Sequence, residues 1–183
     1  MRRAIVAFAL VDLLIIVVIV VLIGWLGGSS TQSSAPRLPG FVTGRERRRL
    51  APDFDRAARE SHVPASLVMA LGWRESEWEQ GLVSNVGAVG IGQLLPANAA
   101  FVASSLLHEP RLDPRRAADN IRLTAGYLRA LIDELGRNER LGVGAYLQGS
   151  TSVRAQGLAP ETVAYVDQVE GLRTAFDQAR RAG

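Results

Sequence analysis

The stretch Ala70–Pro96, ALGWRESEWEQGLVSNVGAVGIGQLLP, decides how the chain is read. Helical spacing places Val68, Leu71, Gly72 and Glu75 on one side, at i, i+3, i+4 and i+7, so Glu75 continues a core-facing stripe. Burial disfavours the charged form of a carboxyl group, and a glutamic acid so placed can serve as a general acid near neutral pH. A loop of Gly, Ser, Asn and Gln follows at once, with glycines at 87, 90 and 92 that permit tight turns and close approach to a ligand.

Outward from this stretch, the sequence is helical in grammar. Arg45–Ser61 carries Leu50, Phe54, Ala57 and Ala58 as a buried stripe, and Pro64 opens a helix that runs to about Trp78 with Glu75 in its last turn. A further helix starts near Pro96 and ends at His108-Glu109-Pro110. Asp113-Pro114 reads as an N-cap with proline at the first helical position of a long helix reaching Gly136, with Ala117, Ile121, Leu128, Leu131 and Leu135 on its apolar face. Arg140–Gln148 reads as a short buried helix, another starts at Gly149-Ser150-Thr151, and Pro160-Glu161-Thr162 opens the last, with Val163, Val166, Val169, Leu172 and Phe176 inward. No segment alternates with period two, so the fold class expected is all-α.

The N-terminal part differs in kind. Met1-Arg2-Arg3 precedes an apolar run, Ala4–Leu26, interrupted only by Asp12. As a helix this run spans about 34 Å, enough for a bilayer core of about 30 Å. It is too long for a signal-peptide apolar region and lacks a small-x-small cleavage site, so residues 1–26 are expected to be an uncleaved single-pass anchor. Arg2 and Arg3 favour a cytoplasmic start and an extracytoplasmic remainder, while Arg37 and Arg45 on the far side weaken that bias. Phe8–Leu14 is similar to the start of type IV pilins, although Ala7 stands where pilin processing wants glycine and Asp12 replaces glutamate; an ordinary spanning helix is the preferred reading. Residues 27–44, rich in Gly, Ser, Thr and Pro, read as a flexible linker, and residues 45–183 as the globular domain.

The 21 basic residues, all arginine, are nearly matched by 18 acidic ones and interleave with them, as in Arg45-Glu46-Arg47. That pattern argues against a nucleic-acid partner. Cysteine is absent, which excludes disulfide frameworks, thiolate metal sites and cysteine nucleophiles. His62 and His108 are isolated and have no ligand spacing, so no metal site and no cofactor are expected.

Glu75-Ser76, Ser84, Gly87-Ala88-Val89-Gly90-Ile91-Gly92-Gln93 and Pro96 together resemble the signature of lytic transglycosylases of the soluble type, written ES, S, GAxGLMQ, P. The resemblance extends through Asn120-Ile121, Tyr127-Leu128, Ala145-Tyr146, and Glu161-Thr162 with Tyr165-Val166. It implies a lysozyme-like helical domain that cleaves the MurNAc-GlcNAc bond of peptidoglycan with Glu75 as catalytic residue, leaving 1,6-anhydro-MurNAc ends. It also implies substrate-binding roles for Ser84, Gly87, Gln93, Leu95 and Tyr146. Trp78, one turn beyond Glu75, is a candidate to stack on a sugar ring, with helix-end packing as the alternative. Glu77 and Glu79 are read as exposed acids at a helix end. Two positions depart from the signature: Leu147 replaces the asparagine of AYN and Gly92 the methionine of GLMQ. They keep open a non-catalytic glycan-binding or envelope-assembly protein, or a hydrolytic muramidase, as alternatives.

Overall fold

The computed structural model describes residues 45–181, with side chains from Arg49 onward. The expected anchor and linker lie outside the described residues. Among the described residues no helix is long and apolar enough to cross a membrane. Among the described residues seven α-helices follow one another: α1 (Arg45–Ser61), α2 (Ala65–Ser76), α3 (Pro96–Phe101), α4 (Ala117–Glu134), α5 (Glu139–Gln148), α6 (Ser150–Gln156) and α7 (Pro160–Arg181). A π-helical turn, Val102–Leu106, continues α3 directly. Only isolated bridges, Val83 with Val89 and Val89 with Leu94, represent β pairing among the described residues. The all-α expectation is met.

The chain forms two compact units, and the division falls within α4 and α7. The larger unit comprises the described residues up to Ala130 together with those from Asp167. Its core contains the stripe read from α1, with Leu50, Phe54, Ala57 and Ala58 all buried, and Val68 and Leu71 of α2 fully so. α2 ends sooner than Trp78. Glu77 takes a left-handed conformation (φ 52°) and its N–H closes the helix on Trp73 O at 2.8 Å. Trp78 follows, also at positive φ (64°), so the chain doubles back and drives the indole under α2.

There Trp78 contacts Phe54 of α1, Trp73 of α2 and Phe176 of α7, with ring centroids 5.1, 5.3 and 5.2 Å away, and its Nε1–H donates to Met69 O at 2.9 Å. Two successive non-glycine residues in the left-handed region cost about 1 to 2 kcal/mol each. Burying an indole returns up to about 4 to 6 kcal/mol, so the reversal is stable. A second clasp lies outside the core. Arg122 of α4 donates to Glu60 of α1 at 2.7 Å and, in a two-pronged contact, to Glu109 at 2.6 and 3.0 Å, tying the turn after the π segment to two helices.

The start of α4 departs from the reading of Asp113-Pro114. Asp113 does cap a turn, accepting from Arg115 N–H at 2.9 Å, but the helix begins at Ala117. The Pro114 carbonyl, which a helix begun there would turn on the amide of Ala118, instead accepts from Asn120 Nδ2 at 2.8 Å and Gln80 Nε2 at 3.0 Å.

The smaller unit, Leu131–Val166, contains α5 and α6 with the ends of α4 and α7. Asn138 caps α5 by accepting from Leu141 N–H at 3.0 Å. Gly142 lets α5 approach Ile132 so closely that an added Cβ would lie 2.4 Å from its Cγ1. Gln148 donates to Gly157 O at 2.9 Å and accepts from Ala159 N–H at 3.0 Å, which fastens the α6–α7 turn.

Trp78→Ala empties the aromatic cluster and is expected to cost about 3 to 5 kcal/mol in denaturant unfolding. The Arg122 hydrogen bond, aided by its charge and opposed by desolvation, holds the Glu109 carboxyl below its ordinary value of 4.5. A carboxylate so lowered stabilises the fold at pH above its unfolded value and loses that contribution as pH falls through the folded value. Arg122→Ala should return Glu109 to ordinary titration by NMR and flatten the acid side of the stability profile.

Candidate functional site

The site grows from the way one loop docks on the end of α2. Gly72 lies in the helix interior, where glycine costs about 1 kcal/mol relative to alanine. Its place is explained by Ile91, because a Cβ at 72 would stand 2.8 Å from Ile91 Cγ2. One turn on, Ser76 Oγ donates to Ile91 O at 2.9 Å. The fully buried Ile91 side chain and its carbonyl therefore fix the loop within one helical turn of Glu75.

Glu75 itself sits at the rim of this contact. It is half-buried in the last turn of α2, whereas Glu77 and Glu79 are exposed. α2 is buried without interruption from Ser66 to Trp73 and opens at Arg74 and Glu75, so Glu75 has partial access to solvent in place of the core-facing position its spacing predicted. Its half-burial separates it from the two neighbouring acids.

The loop is held by its own side chains. Ser84 N–H donates to Ala88 O at 2.9 Å while Ser84 Oγ accepts from Ala88 N–H at 3.0 Å, closing a turn in which Gly87 has φ 80°. Val89 and Leu94 exchange both backbone hydrogen bonds, at 2.9 and 3.1 Å. Gln93, at φ 45°, donates from Nε2 to Gly90 O at 2.9 Å and Leu82 O at 3.3 Å. Ser84 and Gln93 are half-buried, so each braces the backbone and keeps part of its polar surface outward. Leu95, half-buried, precedes Pro96 and α3.

Of the residues read as site candidates, Glu75, Ser84, Gly87, Gln93 and Leu95 belong to α2 and this loop in the larger unit. Tyr146 lies on α5 in the smaller unit and is half-buried there. Trp78 is corrected: only 6 % exposed, with its rings packed among aromatics and its N–H on Met69 O, it has no face for a sugar. Helix-end packing is its role. Among the described residues no group of three or more His, Cys, Asp or Glu side chains could hold a metal ion.

Two features of the site go beyond what the sequence reading gave. Asn120, with no exposed surface, accepts from Gly92 N–H at 2.8 Å and donates to Val89 O at 2.9 Å, as well as to Pro114 O. The sequence marked Asn120 only through the resemblance of Asn120-Ile121 to the family and did not show its backbone partners. The other is the reason for Gly92. A Cβ there would lie 1.9 Å from Thr124 Oγ1 and 2.9 Å from its Cβ, so the threonine fills the space a side chain at 92 would need.

A helical domain with a half-buried glutamate at a helix end, backed by a glycine-rich loop, defines a class, and comparison with known proteins gives it a family. The chain belongs to the Transglycosylase SLT domain family, whose model matches residues 53–166. It is 29 % identical over 104 residues to the soluble lytic murein transglycosylase of Escherichia coli K12, and 28 % over 104 residues to that of Salmonella typhimurium. Each match covers 55 % of this chain but spans only 16 % of the relative's length.

Among solved structures, the fold is similar to an inactive Glu→Gln mutant of the lytic transglycosylase Slt from Pseudomonas aeruginosa. The TM-score is 0.65 at 24 % identity, covering 72 % of this chain and 24 % of that one. The 70 kDa soluble lytic transglycosylase of Escherichia coli gives a TM-score of 0.62 at 24 % identity, covering 70 % and 24 %. The lysozyme-like helical fold expected from the sequence is borne out.

Gly92→Ala is expected to destabilise the protein by about 1 to 3 kcal/mol through overpacking. Thr124→Gly in the same chain should recover part of that loss, read as a favourable coupling energy in a double-mutant cycle of denaturant midpoints.

Proposed function

We propose that the protein is a membrane-anchored lytic transglycosylase that cleaves peptidoglycan. The observation that carries this reading is the half-buried Glu75, set apart from exposed Glu77 and Glu79 inside the stretch matched by the family. The names of the curated relatives, soluble lytic murein transglycosylases, support the substrate, and the inactive Glu→Gln mutant of the Pseudomonas relative supports a glutamate as the working group.

In this proposal Glu75 gives its proton to the glycosidic oxygen as the bond from the MurNAc anomeric carbon breaks, and GlcNAc leaves with a free hydroxyl. The oxygen of the MurNAc N-acetyl group bonds to the anomeric carbon in its place. Glu75, now a carboxylate, takes the proton of the primary hydroxyl of the same sugar. That oxygen displaces the acetamido oxygen and closes the 1,6-anhydro ring. No water is consumed, and one carboxyl group serves as acid and then as base. Ordinary glycoside hydrolysis uses a pair of carboxylates instead.

Ser84 and Gln93, whose side chains brace the loop and remain half-exposed, are assigned to glycan contact along with Gly87, Leu95 and Tyr146. The apolar run of residues 4–26 is assigned as the anchor and residues 27–44 as the tether. They hold the domain on the extracytoplasmic side, within reach of the wall.

The full chain in detergent, incubated with purified peptidoglycan, should release fragments whose MurNAc ends are lighter than reducing ends by one water. Reducing ends alone would show a hydrolytic muramidase, and binding without cleavage a non-catalytic glycan-binding protein. Glu75→Gln should lower the rate of release by at least about a hundredfold with the fold intact by circular dichroism.

A further inference from the structure

We propose that Asn120 is a positioning residue for the site, holding the Val89–Gln93 loop in register against the helix end that carries Glu75. The inference deepens the function proposed above and rests on it for its kinetic part.

Asn120 has a single polar side chain among backbone groups of both kinds. Gly92 presents an N–H, at 2.8 Å, and only the amide oxygen can accept it. Val89 and Pro114 present carbonyls, at 2.9 and 2.8 Å, and only the amide nitrogen can donate to them. Three backbone groups therefore fix the orientation of the amide, and no other side-chain chemistry of this size satisfies all three. The Thr124 hydroxyl, one turn along α4, adds a longer contact to the same oxygen at 3.5 Å.

The two loop contacts bracket Ile91, the residue whose carbonyl receives Ser76 Oγ and whose side chain fills the notch at Gly72. A shift of the Asn120 amide is thus transmitted through Val89–Gly92 to Ser76, the immediate neighbour of Glu75, and to Gln93. Asn120 reaches the site only through this backbone. The charged neighbours on α4 are engaged elsewhere: Asp119 accepts from Asp113 N–H at 3.2 Å and pairs with Arg116, and Arg122 pairs with Glu60 and Glu109.

The test is Asn120→Asp, which keeps shape and acceptor but replaces the donor. An aspartate facing two carbonyls in a buried site is pushed toward its neutral form, in which it donates to one of them; once ionised it repels both. In the full chain, the amide NMR signals of residues 89–93 should lie near their parent positions at low pH and depart from them together as pH rises. The ratio of variant to parent kcat should fall roughly tenfold or more along the same titration, with KM changing less.

Loop signals unmoved by the substitution at every pH would overturn the proposal. So would a loop that titrates while kcat keeps the parent profile, or a variant unfolded even at low pH, which would make Asn120 a residue of the fold alone. A parent chain that cleaves no glycan would refute the function proposed above, and the loop titration would then decide the role of Asn120 by itself.

Discussion

The constraint on which the larger unit depends is the closeness of Ile91 to α2. Glycine at 72 lacks the Cβ that would stand 2.8 Å from Ile91 Cγ2, and Ser76 supplies a hydrogen bond where the loop carbonyl arrives. The helix gives up the better propensity of alanine at one position to admit a fully buried isoleucine, whose transfer from water outweighs the loss. Glu75 stands at the edge of this contact, beside a glycine-containing loop held by its own hydrogen bonds.

The same region shows local preference yielding to distant partners. A helix starting at Asp113-Pro114 satisfies every near-neighbour rule. Yet Pro114 turns its carbonyl to Gln80 and Asn120, and the regular helix waits until Ala117. Likewise Glu77 and Trp78 accept left-handed backbone because the indole finds Phe54 and Phe176 beneath α2. In both places the decisive energy comes from residues far along the chain, which a windowed reading of sequence does not contain.

This separates what was legible from what was not. Periodicity identified the buried faces of α1 and α7 because each is a property of one helix, whereas α2 from Ser66 to Trp73 and α4 from Leu123 to Leu128 are buried on every side and have no single face to read. The signature around Glu75 supplied the family. Trp78 was balanced between two roles in the sequence, since an aromatic one turn past an acid suits a sugar platform and a core equally; only its packing decides. Asn120 showed its helical face but not its three backbone partners, the loop groups lying about thirty residues away in sequence. The departure at Gly92 was visible in the sequence without its packing reason, which is that Thr124 fills the space a side chain at 92 would need.

That last pairing bears on how such a chain changes over generations. With Thr124 in place, a larger residue at position 92 meets a filled space. With glycine at 92, a smaller residue at position 124 leaves an unfilled one. Either substitution alone therefore passes through a less stable intermediate, and the residue tolerated at one position depends on the residue at the other.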